Sequence, residues 1–398
     1  MYSEAGPREG RPTALVVVHV AGALGGAERT TVNLLSRLDR ARFDPVRVIA
    51  SALLRPALEP LSDTFVEAES LRLEGWFTTP ARLRADATRL RAHLREWGPA
   101  VVLGMMHYGA AMAVGATRGL GMPVVASFRG PAYEYLRRYA RDWREHGYTR
   151  LAIAHTARKA ARVTVPSRGT GRELVRRFLA PPGRIRVVAN GIDLEDVARR
   201  ARRPIPDGLP HRARQRVICT AARLCPEKDL GALLHALRRV RQRHEAILWI
   251  LGEGPERAAL GRLAGTLGVV EAVHFLGYRD EVFPYLAAAE IYVHTCEFEG
   301  FGYAPLEAMA CGVPVVAMDC PYGPREVLDE GRAGQLVPPG DVAALARALS
   351  RLLDDPARAG ELRRRGLERA RALSIEAMVE GQTAVLEEAA RERIHARR

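Results

Sequence analysis

Apolar runs of three to seven residues recur along the chain, separated by longer stretches whose hydrophobic positions repeat at helical spacing. The runs at 14–20, 46–50, 101–104, 124–127, 163–165 and 185–188 predict strands in the first half. In the second half the corresponding runs are 217–220, 247–251, 273–276, 291–294, 315–317 and 335–337. Such alternation builds βαβ units and parallel sheets, so the expected fold class is α/β with two Rossmann-like, doubly wound domains. Between the halves, 199–216 carries three prolines and seven arginines without a period, which marks a boundary. Ligands of doubly wound sheets bind beyond the carboxyl ends of the strands, which directs attention to a cleft between the two domains. The uncharged run 98–117 has the length of a membrane span. Pro99, His107 and its glycines read instead as a strand followed by a buried helix, and no transmembrane segment is expected.

Candidate chemistry concentrates just after the run 291–294. Seven residues separate Glu299 from Glu307, and between them Gly300-Phe301-Gly302 leads into an apolar helix start at Tyr303. Gly300 and Gly302 let bare backbone approach a ligand and tolerate positive φ. A helix opening there points unpaired N–H groups and a positive dipole end at an anion such as a diphosphate. On this reading Glu307 accepts hydrogen bonds from a ribose diol, and Glu299 meets a hexose. The plain alternative, a strand-to-helix turn with two solvated glutamates, is weakened by the strand before it and by Cys311-Gly-Val-Pro-Val-Val after it.

A second cluster follows the run 217–220. Arg223 and Lys228 flank a turn, and Asp229 is placed to cap a helix over 230–243. Two cations beside a helix N-terminus suit a departing nucleoside diphosphate, and the competing reading is a solvated basic turn. Lys159 and Lys228 are the only lysines beside 58 arginines, so a lysine kept at this turn hints that a compact ammonium is needed there. In the first half, Gly25 and Gly26 follow the first strand, with Glu28 and Arg29 opening a helix over 30–38. His107 lies at the end of the run 101–104, either against acceptor or sugar or as a satisfied core histidine. Arg129 closes Ala126-Ser-Phe-Arg.

Taken together these segments resemble the E-x7-E retaining glycosyltransferases of the GT-B fold, specifically the large family four. Arg223-Leu-Cys-Pro-Glu-Lys-Asp resembles that family's diphosphate-binding Arg and Lys, Asn190-Gly-Ile-Asp its interdomain Asn-Gly-Val-Asp, and Gly25-Gly-Ala-Glu-Arg its glycine loop. The matches run in order from about residue 14 to about residue 390. What the resemblance implies is a donor site from Arg223, Lys228, Glu299, Glu307, Gly252, Tyr303 and the backbone at Phe301 and Gly302. Gly25, Gly26 and Asn190 also lie against donor or acceptor, and His107 and Arg129 lie in the catalytic region. Many relatives carry histidine where Arg129 stands, so a binding role for an acceptor phosphate is an alternative there. The implied co-substrate is a nucleoside diphosphate sugar, with UDP favoured over GDP by family frequency. No metal and no cofactor are expected, since the chain lacks an Asp-x-Asp pair.

The implied domains are 13–190 for the acceptor, 217–374 for the nucleotide sugar, a linker at 191–216, and a helix at 375–398 that packs back on the first domain. Two other functions stay open: a GT-B sugar-nucleotide epimerase, and a non-catalytic protein that binds membrane surfaces.

Composition sharpens the partners. A chain of 398 residues with 47% apolar content supports two cores. Residues 1–190 hold 30 basic and 16 acidic side chains and 191–398 hold 30 of each, so the whole net charge of +14 sits in the first half. That basic half suits phosphates of lipid headgroups or of an acidic acceptor. With aromatics at 6% and no recognisable motif, nucleic acid is not expected as a partner. The segment 131–148 mixes tyrosines, Trp143 and arginines, as a helix on an anionic membrane does, or as a solvated helix with core aromatics does. The acceptor is left open among a glycan, a lipid-linked saccharide and a small metabolite. Five cysteines, odd in number and without C-x-x-C spacing, read as reduced core thiols. Residues 1–12 lack the pattern of a secretory signal and are expected to be disordered, which together gives a cytoplasmic expectation with contact at the inner membrane face open.

Overall fold

A computed structural model describes residues 12–20, 25–71, 73, 79–205 and 215–395. Residues 1–11 of the expected disordered tail and 206–214 of the expected linker lie outside the described residues. The chain divides into two compact units, Met1–Gly191 with Ile375–Arg398, and Ile192–Ser374.

The first unit holds a seven-stranded sheet: β1 (Leu15–His19), β2 (Val46–Ala50), β3 (Thr64–Glu67), β4 (Val101–Met105), β5 (Val124–Ser127), β6 (Arg162–Val165) and β7 (Ile185–Val187). Its spatial order is β3-β2-β1-β4-β5-β6-β7, with every pairing parallel. The second unit holds six strands: β8 (Arg216–Ala221), β9 (Ala246–Leu251), β10 (Val273–Gly277), β11 (Ile291–His294), β12 (Val315–Met318) and β13 (Gln335–Val337). Their order is β10-β9-β8-β11-β12-β13, again wholly parallel. Helices on both faces bury the central strands completely, which is why β1, up to its closing His19, and β4 and β9 read as apolar runs.

Winding reverses once in each sheet, between β1 and β4 in the first and between β8 and β11 in the second. Loops leaving the carboxyl ends of those neighbours diverge to opposite faces and leave a crevice. Both crevices carry the candidate residues described below.

Three expectations are corrected. The helix expected over 30–38 runs from Gly26 to Leu35, because Gly25 is already extended and serves as its N-cap while Glu28 falls in its first turn. The expected linker is helical over Leu194–Ala201, whose Val197 is buried; three acidic and basic pairs at helical spacing hid this helix in an arginine-rich stretch. Strand β3 was not expected, since all four of its residues are only half-buried and its apolar content is a bare Phe65-Val66.

The run 98–117 becomes β4 and a buried helix, Met106–Thr117. Gly104 and Gly109 are required here: an added Cβ would lie 2.5 Å from Ala110 Cα and 2.8 Å from the Val18 carbonyl oxygen respectively. Among the described residues no helix is long and apolar enough to cross a membrane. The C-terminal helix, Ile375–His395, belongs to the first unit and buries Ile375, Met378, Val385 and Leu386 in a cluster with Leu15, Val17 and Val48. Ion pairs from Arg42 to Glu387 (2.8 Å) and from Arg186 to Glu388 (2.6 Å) flank this contact.

Candidate functional site

In the second unit, the loops after β8 and β11 meet across the crevice. The chain leaves β8 through Ala222 and Arg223, forms a short turn at Pro226–Lys228, and enters the helix Leu230–Val240. Asp229 makes this tight reversal at φ 42° and its carboxylate accepts from Ala232 N–H at 3.3 Å, capping the helix as expected. The reversal turns Lys228 inward, where its ammonium donates to Glu299 Oε2 at 2.7 Å. Thr295 Oγ1 donates to the Lys228 carbonyl at 2.7 Å and fixes the same turn from the other loop.

Burial pushes the Glu299 carboxyl up, yet the Lys228 ammonium, the His294 ring and a hydrogen bond from Gly300 N–H (3.0 Å) prevail and hold it below the ordinary glutamate range. Glu299 is therefore ionised and the pair is a true ion pair. Its loop is pinned from behind: Glu299 bridges Tyr322, and an added Cβ at Gly323 would fall 2.2 Å from the Phe301 carbonyl oxygen. Phe301 is buried and its ring meets Tyr303 edge-on at 6.3 Å. Gly302 takes φ 109° at the N-cap of the helix Tyr303–Ala310, a conformation that suits glycine, and Glu307 is buried one turn in. Gly300 is not among the positive-φ glycines, so of the two glycines read as tolerating positive φ only Gly302 adopts it.

Arg223 stands in contrast to Lys228. It is exposed and its guanidinium makes no hydrogen bond or ion pair among the described residues. Gly252 explains how the Arg223 loop is held: at φ 131°, its Cβ position would lie 2.0 Å from the Ala222 carbonyl oxygen, so the turn after β9 supports the turn after β8 at backbone contact. Leu224 N–H donates to the Glu253 carbonyl at 2.9 Å and completes that support.

The first unit has its own polar crevice. Asn190 Oδ1 accepts from Arg129 Nη2 and from Thr30 Oγ1 (3.3 Å), and Thr30 also donates to the Gly26 carbonyl (2.8 Å). Gly26, Asn190 and Arg129 are thus brought together from three parts of the chain. Gly25 lies beside them, its missing Cβ 3.3 Å from Glu28 Oε2. His107 is the second residue of the helix after β4 and packs against Phe128, ring centroids 5.4 Å apart. Burial alone pushes its imidazole down to about 4, so it is neutral at ordinary pH.

Two clusters escaped the sequence reading. His19, fully buried at the end of β1, lies 2.9 Å from Thr31 Oγ1 and 3.3 Å from Glu28 Oε1. A lone histidine closing an otherwise apolar strand was the available signal. In the second unit, His294 and Cys296 sit against Glu299, each at a closest approach of 3.8 Å. All five cysteines are free, and four of them are buried.

Comparisons with known proteins agree with this architecture. A family model described as Glycosyltransferase Family 4 matches residues 24–196, and one described as Glycosyl transferases group 1 matches 215–355. The chain is similar to the GDP-mannose-dependent alpha-(1-6)-phosphatidylinositol monomannoside mannosyltransferase of Mycolicibacterium smegmatis, 35% identical over 55% of this chain. It spans 61% of that relative's length. The lipopolysaccharide core biosynthesis glycosyltransferase LpsD of Rhizobium meliloti is 28% identical over 86% of this chain and 89% of its own. Among solved structures, Anabaena HepE in complex with UDP superposes with a TM-score of 0.75 at 18% identity, covering 94% of this chain and 99% of that one. With one family match in each half and two parallel sheets of the same fold, the chain belongs to the GT-B glycosyltransferases of family 4, group 1.

Proposed function

We propose that this protein is a retaining glycosyltransferase that moves a hexosyl unit from a nucleoside diphosphate sugar to an acceptor hydroxyl in the making of a bacterial glycan, lipid-linked saccharide or glycosylated metabolite. The observation that carries this reading is the Lys228–Glu299 ion pair at the switch point of the second sheet, with the exposed Arg223 guanidinium on the adjoining loop. One cation is already fixed in place and the other is available to an incoming anion, as a diphosphate requires.

In this scheme Arg223 and Lys228 neutralise the diphosphate as it departs, so no metal is needed for that step. Glu307 holds the ribose, and Glu299 with the backbone at Phe301 and Gly302 orients the sugar; Tyr303 and Gly252 line the same donor site. Lys228 spends part of its charge on Glu299 in the resting protein, and release of that charge toward phosphate is favoured as negative charge develops in the transition state. The acceptor attacks from the face of the leaving group, and the donor phosphate oxygen takes its proton, which conserves the anomeric configuration. Gly25, Gly26, Asn190, Arg129 and His107 serve the acceptor and the reacting sugar.

Named relatives support both donor bases: one is described as GDP-mannose-dependent, and a solved neighbour holds UDP. A thermal-shift panel of UDP, GDP and their sugars tests the reading, because a ligand that binds only the folded state raises Tm. A rise with one base and its sugars is expected; no rise with any of them removes the donor assignment.

A lipid-anchored acceptor is favoured by one surface of the first unit. On the helix Trp143–Lys159, Trp143 (78% exposed) and Leu151 (71% exposed) share a face with exposed Arg144 and Arg150. Apolar side chains among guanidinium groups suit an anionic lipid surface.

A further inference from the structure

We propose that His294, Cys296 and Glu299 form a binding site for a thiophilic divalent cation, zinc in the first instance, and that the cation competes with Lys228 for Glu299 and so blocks the nucleotide site. The site itself stands on geometry alone; its inhibitory consequence rests on the donor reading above.

One ligand atom from each of the three residues lies within 4.8 Å of the others. The closest approaches are 3.8 Å between Cys296 Sγ and Glu299 Oε2, 3.8 Å between His294 Nε2 and Glu299 Oε2, and 3.8 Å between His294 Nδ1 and Cys296 Sγ. Zinc with one sulfur, one nitrogen and one oxygen ligand at its usual bond lengths needs donors roughly 3.4–3.8 Å apart. Only one imidazole nitrogen can ligate, so the widest separation to close is at most 4.8 Å, and a contraction of about 1–1.4 Å, within reach of side-chain torsions, closes the triangle.

Two further features favour a cation here. His294 is 4% exposed, its Nε2 has no hydrogen-bond partner among the described residues, and it faces the glutamate. The donor set, one thiol, one imidazole and one carboxylate, selects zinc, cadmium or cobalt over magnesium or calcium. As the metal binds, the Cys296 S–H bond breaks, a sulfur–metal bond forms, and the proton leaves to solvent.

Lys228 Nζ sits 2.7 Å from the same Glu299 oxygen that the metal would take. An ammonium and a dication cannot share one carboxylate oxygen in a partly buried site without strong repulsion. The metal therefore expels Lys228 from Glu299, and with it the fixed cation of the nucleotide site. This is a use of Cys296 and His294 that the transfer reaction does not require.

The test uses tag-free, reduced, full-length protein titrated with Co2+ and Cd2+, reading thiolate-to-metal charge-transfer absorption. One equivalent should produce the band in the wild type; Cys296→Ser should abolish it, and Cys320→Ser, which alters a buried thiol outside the triad, should keep it. His294→Gln, a second route should Cys296→Ser melt early, should weaken metal binding by about tenfold or more. Absence of the band, or its persistence in Cys296→Ser, overturns the site. In parallel, calorimetry of UDP and GDP should show binding weakened by zinc in the wild type and unaffected in Cys296→Ser. Equal nucleotide affinity with and without zinc overturns the competition, whereas no nucleotide binding even in chelator with the band intact means that the donor reading has failed and the metal site has not.

Discussion

The two switch points of this molecule solve different problems with the same topology. Between β8 and β11 the crevice carries formal charge: an ionised Glu299, a Lys228 held to it at 2.7 Å, and an Arg223 facing outward. Between β1 and β4 the corresponding crevice turns its polar groups on one another: His19 on Thr31 and Glu28, Asn190 accepting from Thr30 and Arg129, and a neutral His107 against Phe128. The first arrangement suits a polyanion whose charge changes during reaction, and the second engages its charged groups within the protein. Fold alone therefore does not distribute the chemistry; the loops after neighbouring strands do.

The sharpest way to break this contrast is to remove the cations one at a time. Arg223→Ala and Lys228→Ala are each expected to lower turnover by about 100-fold to 1,000-fold, the usual effect of deleting one group that stabilises a developing anion. Their effects on stability should differ. Arg223→Ala should leave Tm unchanged, because the side chain is exposed and has no partner among the described residues, while Lys228→Ala should cost about 1–3 kcal/mol by stranding the Glu299 carboxylate. Steady-state rates and melting curves on the same preparations check both statements, and near-normal turnover in the two variants together refutes the donor assignment.

A milder effect is expected in the first unit. Asn190→Ala removes the acceptor shared by Thr30 and Arg129 and should destabilise by about 1–3 kcal/mol. Denaturant titration measures this, and calorimetry should show a smaller loss of nucleotide affinity than in Arg223→Ala. The reverse ranking would erase the distinction between the two crevices.

Titration of His107 gives a smaller signal still. Its folded value of about 4 lies below the ordinary 6.5, so the unfolded chain takes up a proton that the folded one refuses. Its neutral form is fully compatible with the fold above about pH 6.5, and stability falls as pH drops from there toward 4. Melting profiles against pH should be flatter over that window in His107→Asn than in the wild type; identical slopes would show that the ring is solvated. The smallest effect concerns Trp143 and Leu151. Replacing both by serine should weaken flotation with anionic vesicles severalfold and leave binding to zwitterionic vesicles unchanged, and equal flotation of variant and wild type would exclude this face.

How much of this could be read from the sequence followed from how local the physics is. Strands β1, β4 and β9 are buried on both faces and spell themselves as apolar runs, whereas β3, half-buried throughout, leaves only Phe65-Val66 as a trace. Glu299, Gly302 and Glu307 lie within nine residues, so their pattern survives in one dimension. The Lys228–Glu299 pair spans 71 positions and Arg129–Asn190 spans 61, and no spacing rule announces either. The positive φ that Gly302 adopts was legible as a tolerance of its residue type, whereas the need of Gly252 for a missing side chain shows only in its contact with Ala222. Cys296 was assigned to the core on composition, and only its distance to Glu299 gives it a second use.

The central claim is that positive groups at the second switch point grip a nucleoside diphosphate. Isothermal titration of UDP and GDP into the wild type and into Arg223→Ala tests it most directly, because that variant is expected to remain fully folded. The account predicts measurable heat with one of the two nucleotides in the wild type and an affinity at least about tenfold weaker in Arg223→Ala, the loss of one charge-assisted contact. Equal affinity in both proteins, or no heat with either nucleotide, would contradict it.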